Sequence, residues 1–164
     1  MNLNIGDNFY DMDIYVDGST DGTNIKGCTY SYAAVVVDPS TETVLLKAVG
    51  VDRNGTNQTG EIRALQLAFE IILTNLDKIK QSTTTVNIYS DSMYVVNTIN
   101  EWLDQWIMLG RNKAYIDWWK EIRQMKLEIM KVINLNIRKV KGHSKNKWNN
   151  MVDKLARNVF KELV

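Results

Sequence analysis

Hydrophobic and polar positions in the first third of the chain follow the patterns of β-strands. Residues 13–19 form a short apolar run that ends on a carboxylate, Asp17, and then breaks into a small-residue turn. The aromatic and β-branched residues of 30–37 and 44–51 predict two further strands, joined by a polar turn of hairpin length. The sequence therefore predicts an antiparallel meander of three strands.

The hydrophobic period changes after residue 55. Apolar residues at 62, 65, 69, 72 and 76 recur at helical spacing, and residues 56–59 supply capping candidates before them. Further along, the patterns predict a strand at 86–90 that ends on Asp91, helical segments at 94–106 and 115–129 separated at Gly110, a strand at 135–140 and a helix at 152–163. This succession indicates an α/β fold in which helices flank a mixed sheet, and it leaves the strand order open.

Composition is that of one globular domain, because the chain has 164 residues, 45% of them hydrophobic and 24% charged. No apolar run approaches the roughly 18 residues of a membrane span, and residues 1–12 are polar and acidic. The single cysteine, Cys28, is better explained as a small buried strand residue than as a disulfide partner or zinc ligand. We therefore expect a cytoplasmic protein with no membrane contact, and we expect a monomer by default because nothing in the sequence marks a dimer face.

Charge is distributed unevenly along the chain. Residues 1–100 carry 6 Lys and Arg against 12 Asp and Glu, a balance of −6, whereas residues 101–164 carry 14 against 7, a balance of +7. No acidic residue lies between Glu128 and Asp153, although several lysines and arginines do. A solvated basic face and a contact surface for a polyanion both explain this segregation.

Four carboxylates lie near the ends of predicted elements. Asp17 and Asp91 each follow a strand, Glu61 lies at the start of the first amphipathic helix, and Asp153 lies in the first turns of the last helix. Each alone has a structural explanation, since carboxylates favour helix N-termini and Asp is common in turns. Neighbouring strand ends in an α/β sheet also form functional sites, so the residues are candidates for both roles.

The segments around these carboxylates resemble the type 1 ribonuclease H family. The matching segments, in order, are Asp17-Gly18-Ser19, Thr56-Asn57-Gln58 followed by Glu61, Ser90-Asp91-Ser92-Met93-Tyr94, and Val140-Lys141-Gly142-His143 followed by Asp153. Their order and spacing match the family from about residue 13 to residue 157. The resemblance implies a catalytic domain over 13–164, preceded by an N-terminal extension over 1–12.

The resemblance also implies a five-stranded mixed sheet in the order 3-2-1-4-5, with the first three strands antiparallel, and hydrolysis of the RNA strand of RNA–DNA hybrids, largely independent of sequence. It implies that Asp17, Glu61, Asp91 and Asp153 are catalytic metal ligands. Two Mg²⁺ ions roughly 4 Å apart suit this reaction because they activate a water and stabilise the leaving oxygen. Hard oxygen ligands favour Mg²⁺ or Mn²⁺, and clustered carboxylates need cations to offset their repulsion.

The same resemblance assigns roles to residues outside the carboxylate set. His143, the only histidine, matches a mobile-loop histidine that aids proton transfer or product release, a role suited to an ordinary pKa near neutrality. The implied substrate contacts use amides and hydroxyls for base edges and phosphates, aromatic rings for the DNA strand and basic side chains for the backbone. They are Gly18, Ser19, Asn24, Thr56, Asn57, Gln58, Tyr94, Trp102, Trp106, Arg111 and Lys113, with Lys145 and Lys147 as further basic candidates.

Some segments depart from the family pattern. Residues 107–111 are mostly apolar where the cellular enzymes usually carry a basic protrusion. This implies weaker hybrid affinity, or help from another domain in a larger replication or reverse-transcription assembly. The pair Thr59-Gly60 replaces the usual residues before Glu61, and the loop at 20–27 lacks the Pro-Gly pattern often found there.

Three other functions fit parts of the same pattern. A catalytically silent ribonuclease H-like binding domain is disfavoured because all four carboxylates are present. A junction resolvase, transposase or integrase would keep the fold but lacks the Lys-Gly-His loop combined with the Thr-Asn-Gln segment. A phosphate-binding ATPase with a similar sheet needs a longer, duplicated chain.

Overall fold

The predicted sheet is present, and its strands differ from the predicted segments only at their ends. The computed structural model describes residues 1–3, 11–22, 27–82, 85–140 and 146–162. The strands in these ranges are β1 (Asp11–Thr20), β2 (Cys28–Asp38), β3 (Thr43–Gly55), β4 (Thr85–Ser90) and β5 (Asn134–Lys139). The boundary drawn from the sequence between residues 12 and 13 falls inside β1.

The strand order is β3-β2-β1-β4-β5, which confirms the order implied by the family resemblance. Pairing is antiparallel between β1 and β2 and between β2 and β3, and parallel between β1 and β4 and between β4 and β5. Val16 of β1 lies opposite Ser90 of β4 in register. Because these strands run in the same direction, the next residues, Asp17 and Asp91, lie side by side at the end of the β1–β4 ladder.

The first and third predicted helices begin at or next to the predicted residues, whereas the last helix begins five residues before the predicted segment and α2 was not predicted. They are α1 (Asn57–Thr74), α2 (Leu76–Ser82), α3 (Met93–Asn97), α4 (Leu103–Met108), α5 (Ile116–Met130) and α6 (Lys147–Glu162). Thr56 is the N-cap of α1: its hydroxyl accepts a hydrogen bond from the Thr59 N–H, and the Thr59 hydroxyl accepts one from the Thr56 N–H. This reciprocal capping box confirms the capping segment predicted at 56–59.

Residues 94–106, which periodicity predicted as one helix, form three consecutive helical segments. A π-helical turn at Thr98–Trp102 lies between α3 and α4. Lys126 of α5 donates from Nζ to the Ile99 carbonyl oxygen at 3.1 Å, and Asn100 donates to the Ile137 carbonyl oxygen at 2.7 Å. These tertiary contacts hold the wider turn, and the spacing of apolar residues gives no sign of them.

Asn75 ends α1 and ties the first residues of the chain to the domain. Its side-chain amide donates to the carbonyl oxygens of Met1 and Ile71, each at 2.8 Å, and its Oδ1 accepts from the Leu3 N–H at 3.0 Å. Leu3 is buried in the core. Residues 1–3 are therefore packed against the domain, although the sequence assigned them to an extension.

Both faces of the sheet are covered by apolar side chains. On one face, Ile14 and Val16 pack with residues of α1 and α5, including the buried Phe69 and Trp119. On the other face, α6 covers a smaller cluster that includes Tyr15, Ala33, Val35, Val152 and Ala156. Cys28 is buried in β2, as predicted. None of the helices in the described part of the chain combines the length and apolar character needed to span a membrane.

Candidate active site

Three carboxylates converge at the end of the β1–β4 ladder, where Asp17 lies within β1 rather than after the strand as the sequence predicted. Side chains alternate along a strand, so Asp17 lies on the opposite sheet face from Val16, on the side of α6. Glu61 comes from the second turn of α1, and Asp91 directly follows β4. Oxygen atoms of Asp17, Glu61 and Asp91 all lie within 4.8 Å of one another. This arrangement can hold a cation.

Two glycines allow the helix that carries Glu61 to reach Asp17. A Cβ atom on Gly18 would lie 2.6 Å from both the Gly60 carbonyl oxygen and the Glu61 backbone nitrogen. A Cβ atom on Gly60 would lie 3.1 Å from the Ser31 carbonyl oxygen. This close packing of α1 against β1 explains Gly18, which the family resemblance implied to be a substrate contact. It also explains Gly60, which stood out only as a departure from the family.

Burial and mutual repulsion raise the pKa of all three carboxyl groups. For Asp17 the largest cause of the raised pKa is burial, followed by the charges of Glu61 and Asp91. Burial also comes first for the raised pKa of Glu61, followed by the charge of Asp91. The pKa of Asp91 is raised by burial and then by the charge of Asp153. Either a proton or a bound cation relieves this repulsion.

The donor set fits a hard divalent cation. Glu61 Oε2 is buried and has no hydrogen-bond partner among the described residues. An unpaired buried carboxylate oxygen is costly, and carboxylate oxygens are the ligands that Mg²⁺ and Mn²⁺ prefer. A cation held by Asp17, Glu61 and Asp91 would satisfy this atom and offset the repulsion among the three side chains.

Asp153, the fourth predicted ligand, borders the cluster. Its Oδ2 forms an ion pair with Arg157 Nη2 at 2.8 Å, one turn later in α6. Among the described residues, the group whose oxygens lie within 4.8 Å of one another does not include it. A hydrogen bond between Asp17 and Asp153 is nevertheless one cause of the raised pKa of Asp17. The fold therefore brings three predicted ligands together and leaves the fourth beside them.

The Thr56-Asn57-Gln58 segment forms the N-terminus of α1, about one turn before Glu61. Thr56 Oγ1 lies 3.2 Å from the Tyr115 hydroxyl oxygen. Asn57 and Gln58 are exposed in the first turn of the helix. Their amides are therefore accessible to a ligand near the carboxylates.

The predicted aromatic contacts differ in their exposure. The rings of Trp102 and Trp106 are neighbours with centres 6.2 Å apart, and Lys113 Nζ lies 5.4 Å from the centre of the Trp106 ring. Tyr94 is only partly exposed, and its hydroxyl accepts a hydrogen bond from Trp119 Nε1 at 3.0 Å. Tyr94 therefore also links α3 to the buried face of α5, a structural role that the sequence did not indicate.

The remaining predicted contacts are single side chains or lie outside the described residues. Arg111 is exposed and Ser19 is partly exposed. Asn24, His143 and Lys145 lie outside the described residues, so their predicted roles stay predictions. The apolar segment before Arg111 is exposed as well, because Met108 is 78% and Leu109 61% accessible.

The sequence did not single out Tyr115 or Asn149 as a candidate site residue. Tyr115 adopts a left-handed backbone conformation with φ of 63°, which no sequence pattern indicated. Asn149 Oδ1 is buried and has no hydrogen-bond partner within the described ranges. Asn149 precedes Asp153 by one helical turn, and that spacing was the signal by which it could have been found.

Comparison with known proteins identifies the class to which this fold and site belong. The family described as RNase H matches residues 10–161. The chain is similar to Ribonuclease H of Caldicellulosiruptor saccharolyticus, with 32% identity over 157 residues that cover 92% of this chain and 96% of the relative. These matches define a nuclease, a hydrolase of nucleic acid. The chain belongs to the RNase H family.

Solved structures give the same result. The PFV RNase H domain superposes with a TM-score of 0.72 and 27% identity, over 94% of this chain and 96% of that one. The Prototype Foamy Virus protease-reverse transcriptase is similar with a TM-score of 0.73 and 26% identity. That likeness covers 96% of this chain but 22% of the viral chain. The family and the fold expected from the sequence are thus confirmed.

Proposed function

We propose that the chain is an endoribonuclease that hydrolyses the RNA strand of RNA–DNA hybrids, with little sequence preference, by a two-metal-ion mechanism. The observation that carries the proposal is the convergence of Asp17, Glu61 and Asp91 at one sheet edge in a chain of the RNase H family. RNA–DNA hybrid is accordingly the proposed substrate and partner.

The carboxylates would hold Mg²⁺ or Mn²⁺. Asp17, Glu61 and Asp91 would supply the main ligands, with Asp153 adding an oxygen from α6. When bound, the metal supplies Lewis acidity for an in-line displacement at phosphorus. The unpaired buried Oε2 of Glu61 supports this assignment, because a hard cation is the partner that best satisfies it.

The other residues would bind and orient the hybrid. Amides of the exposed Asn57 and Gln58 suit base edges and 2′-hydroxyl groups in the shallow minor groove. The neighbouring rings of Trp102 and Trp106 offer an apolar surface to the DNA strand, and Lys113 beside Trp106 adds a positive charge for a phosphate. Arg111 adds another. His143 would move a proton or assist product release.

A cleavage assay with four substrates tests the proposal. Labelled RNA–DNA hybrid, double-stranded RNA, single-stranded RNA and branched DNA are incubated with the protein and Mg²⁺, and in parallel with EDTA. We expect loss of the RNA strand of the hybrid alone, and only with metal. Cleavage of branched DNA would favour a resolvase, and no cleavage with either Mg²⁺ or Mn²⁺ would favour a binding domain.

Variants separate the ligands from the proton-transfer residue. Asp17→Asn should nearly abolish cleavage, whereas His143→Ala should slow turnover by roughly 10²-fold, the lower end of the usual range for general acid–base assistance. Asp13→Asn is a matched control, because Asp13 lies on the same strand and its carboxylate accepts from Asn87 at 3.1 Å. Equal losses for Asp17→Asn and His143→Ala would contradict these roles.

Assembly and cellular location belong to the same proposal. We infer a monomer that acts in the cytoplasm, alone or beside larger replication or reverse-transcription machinery. Size-exclusion chromatography with light scattering tests the first point, and a dimer at micromolar concentration would contradict it.

A further inference from the structure

A groove lined by lysine and asparagine side chains lies between α6 and the edge strand β3. Its volume is about 520 Å³, and its polar lining consists of Lys47 from β3 with Lys147, Asn150, Lys154 and Asn158 from α6. None of the described residues that line it is acidic. It is called here the lysine groove.

The positive charge of the lysine groove is only partly neutralised. Lys147 Nζ lies 3.5 Å from a carboxylate oxygen of Glu42 and 4.5 Å from the centre of the Trp148 ring. Within the described ranges, Lys47 and Lys154 have no carboxylate within ion-pair distance. Because like charges repel, an anion between these ammonium groups would be stabilised.

Helix α6 separates the lysine groove from the carboxylates. At 3.6 residues per turn, Lys147 and Lys154 lie about 100–120° around the helix from Asp153. Val152 and Ala156 are buried against the sheet, and the Ala156 carbonyl oxygen accepts from the Ser31 hydroxyl at 2.5 Å. The helix is thus fixed on the sheet, with Asp153 on the β4 side and the lysine groove on the β3 side.

The distance between the lysine groove and the carboxylates is no longer than a few nucleotides of a nucleic acid strand. Lys47 pairs with Val35, which pairs with Tyr15, two residues before Asp17 on β1. By ordinary strand spacing, the Cα atoms of Lys47 and Asp17 are therefore roughly 12 Å apart. One nucleic acid can contact both places.

We propose that the lysine groove binds a backbone phosphate of the same hybrid whose RNA strand is cleaved at the carboxylates, so the inference rests on the proposed function. Ammonium groups and amide N–H groups are donors to phosphate oxygens and carry no sequence information. Met151 and Leu155 supply apolar lining against which a sugar can pack. Lys147 is the one groove lysine already named as a candidate backbone contact, and the groove places Lys47 and Lys154 beside it.

Binding as a function of salt concentration is the first test. Lys47→Gln/Lys154→Gln is compared with Lys80→Gln/Lys131→Gln, all in EDTA so that the hybrid stays intact. Lys80 lies shortly before β4 and Lys131 shortly before β5. Both control lysines therefore lie near the N-terminal ends of these strands, whereas Asp91 follows the C-terminal end of β4. For the groove variant, the slope of log K against log salt should decrease by about 0.9, the equivalent of one lost phosphate contact. Equal changes in the two variants would overturn the proposal.

Neutral phosphates give a sharper second test. Hybrids carrying one uncharged methylphosphonate at successive positions are bound to wild type and to the groove variant. At one or two adjacent positions, the substitution should weaken wild-type binding but leave binding of the groove variant unchanged, which is the coupling expected for a direct contact. If both proteins lose affinity equally at every position, the groove does not contact the backbone.

A third experiment tests whether the lysine groove binds free phosphate instead of a backbone phosphate. Inorganic phosphate is titrated while the backbone amide resonances of Lys47, Lys154 and Asn158 are followed by NMR. Shifts with free phosphate, without coupling in the methylphosphonate series, would overturn the proposal in favour of a free anion. Cleavage of the hybrid by wild type is measured separately, so failure of the groove is distinguishable from failure of the proposed function.

Discussion

The hydroxyl oxygen of Tyr115 lies 3.2 Å from Oγ1 of Thr56, the N-cap of α1. Tyr115 comes 59 residues later in the chain and adopts a left-handed conformation with φ of 63°. Its ring also meets Trp118 edge to face, with centres 6.1 Å apart. Tyr115, the strained residue directly before α5, thus holds the first turn of α1, which carries Asn57 and Gln58.

Tyr115→Phe should loosen the start of α1 while leaving the carboxylates in place. Loss of one hydrogen bond should lower the free energy of unfolding by about 1 kcal/mol. Because the Asn57 and Gln58 amides would be less well positioned, KM for hybrid should rise a few-fold, about 1 kcal/mol in binding, with kcat nearly unchanged.

Tyr89→Phe is the matched control for Tyr115→Phe. Tyr89 stacks on Tyr15 with ring centres 4.9 Å apart, and its hydroxyl has no hydrogen-bond partner in the described part of the chain. Steady-state kinetics and urea unfolding are measured for both variants. If Tyr115→Phe raises KM no more than Tyr89→Phe, the hydroxyl contact does not position the α1 N-terminus.

Gly18→Ala should destabilise the protein more than Gly60→Ala. The added Cβ at residue 18 would meet backbone atoms at 2.6 Å, whereas the one at residue 60 would meet its nearest neighbour at 3.1 Å. We expect losses of roughly 3 kcal/mol and 1 kcal/mol respectively, on the scale of overpacked cores. Urea unfolding measures both, and the opposite ranking would contradict the close approach of α1 to β1.

Asp17→Asn should stabilise the metal-free protein at neutral pH. The pKa of Asp17 is raised in the folded state, above about 3.9 in the unfolded chain. The folded state therefore holds this proton more tightly, and stability falls as pH rises from about 4 toward the folded pKa. Removing the charge should add on the order of 2 kcal/mol to the free energy of unfolding at pH 7.

Added Mg²⁺ should make wild type more stable than Asp17→Asn, the opposite of the ranking expected without metal. Thermal unfolding with and without the ion should show a clear rise in Tm for wild type and for Asp13→Asn, and a smaller rise for Asp17→Asn. If Asp17→Asn gains as much in Tm from Mg²⁺ as wild type does, residue 17 is not a ligand. Urea unfolding of wild type and Asp17→Asn at a series of pH values in EDTA measures the repulsion separately, so the two effects can be told apart.

Much of the fold follows from local patterns. Alternating and helical apolar spacing identified the strands and most of the helices, because burial of one face imposes those periods. The capping box at Thr56 and Thr59 is likewise local, since both partners lie within one turn. The helix predicted at 94–106 was divided because Lys126 and Ile137, distant in sequence, contact the π-helical turn.

The sequence by itself determined the candidate site residues: four carboxylates near element ends, in segments whose order matched the RNase H family. Only the tertiary structure decided how they meet. It placed Asp17, Glu61 and Asp91 together, left Asp153 paired with Arg157, and formed the lysine groove from one strand and one helix about 100 residues apart in the chain. Sequence order records local periodicity, whereas the distance between side chains on different elements depends on packing, such as the close contact of Gly18 with Gly60.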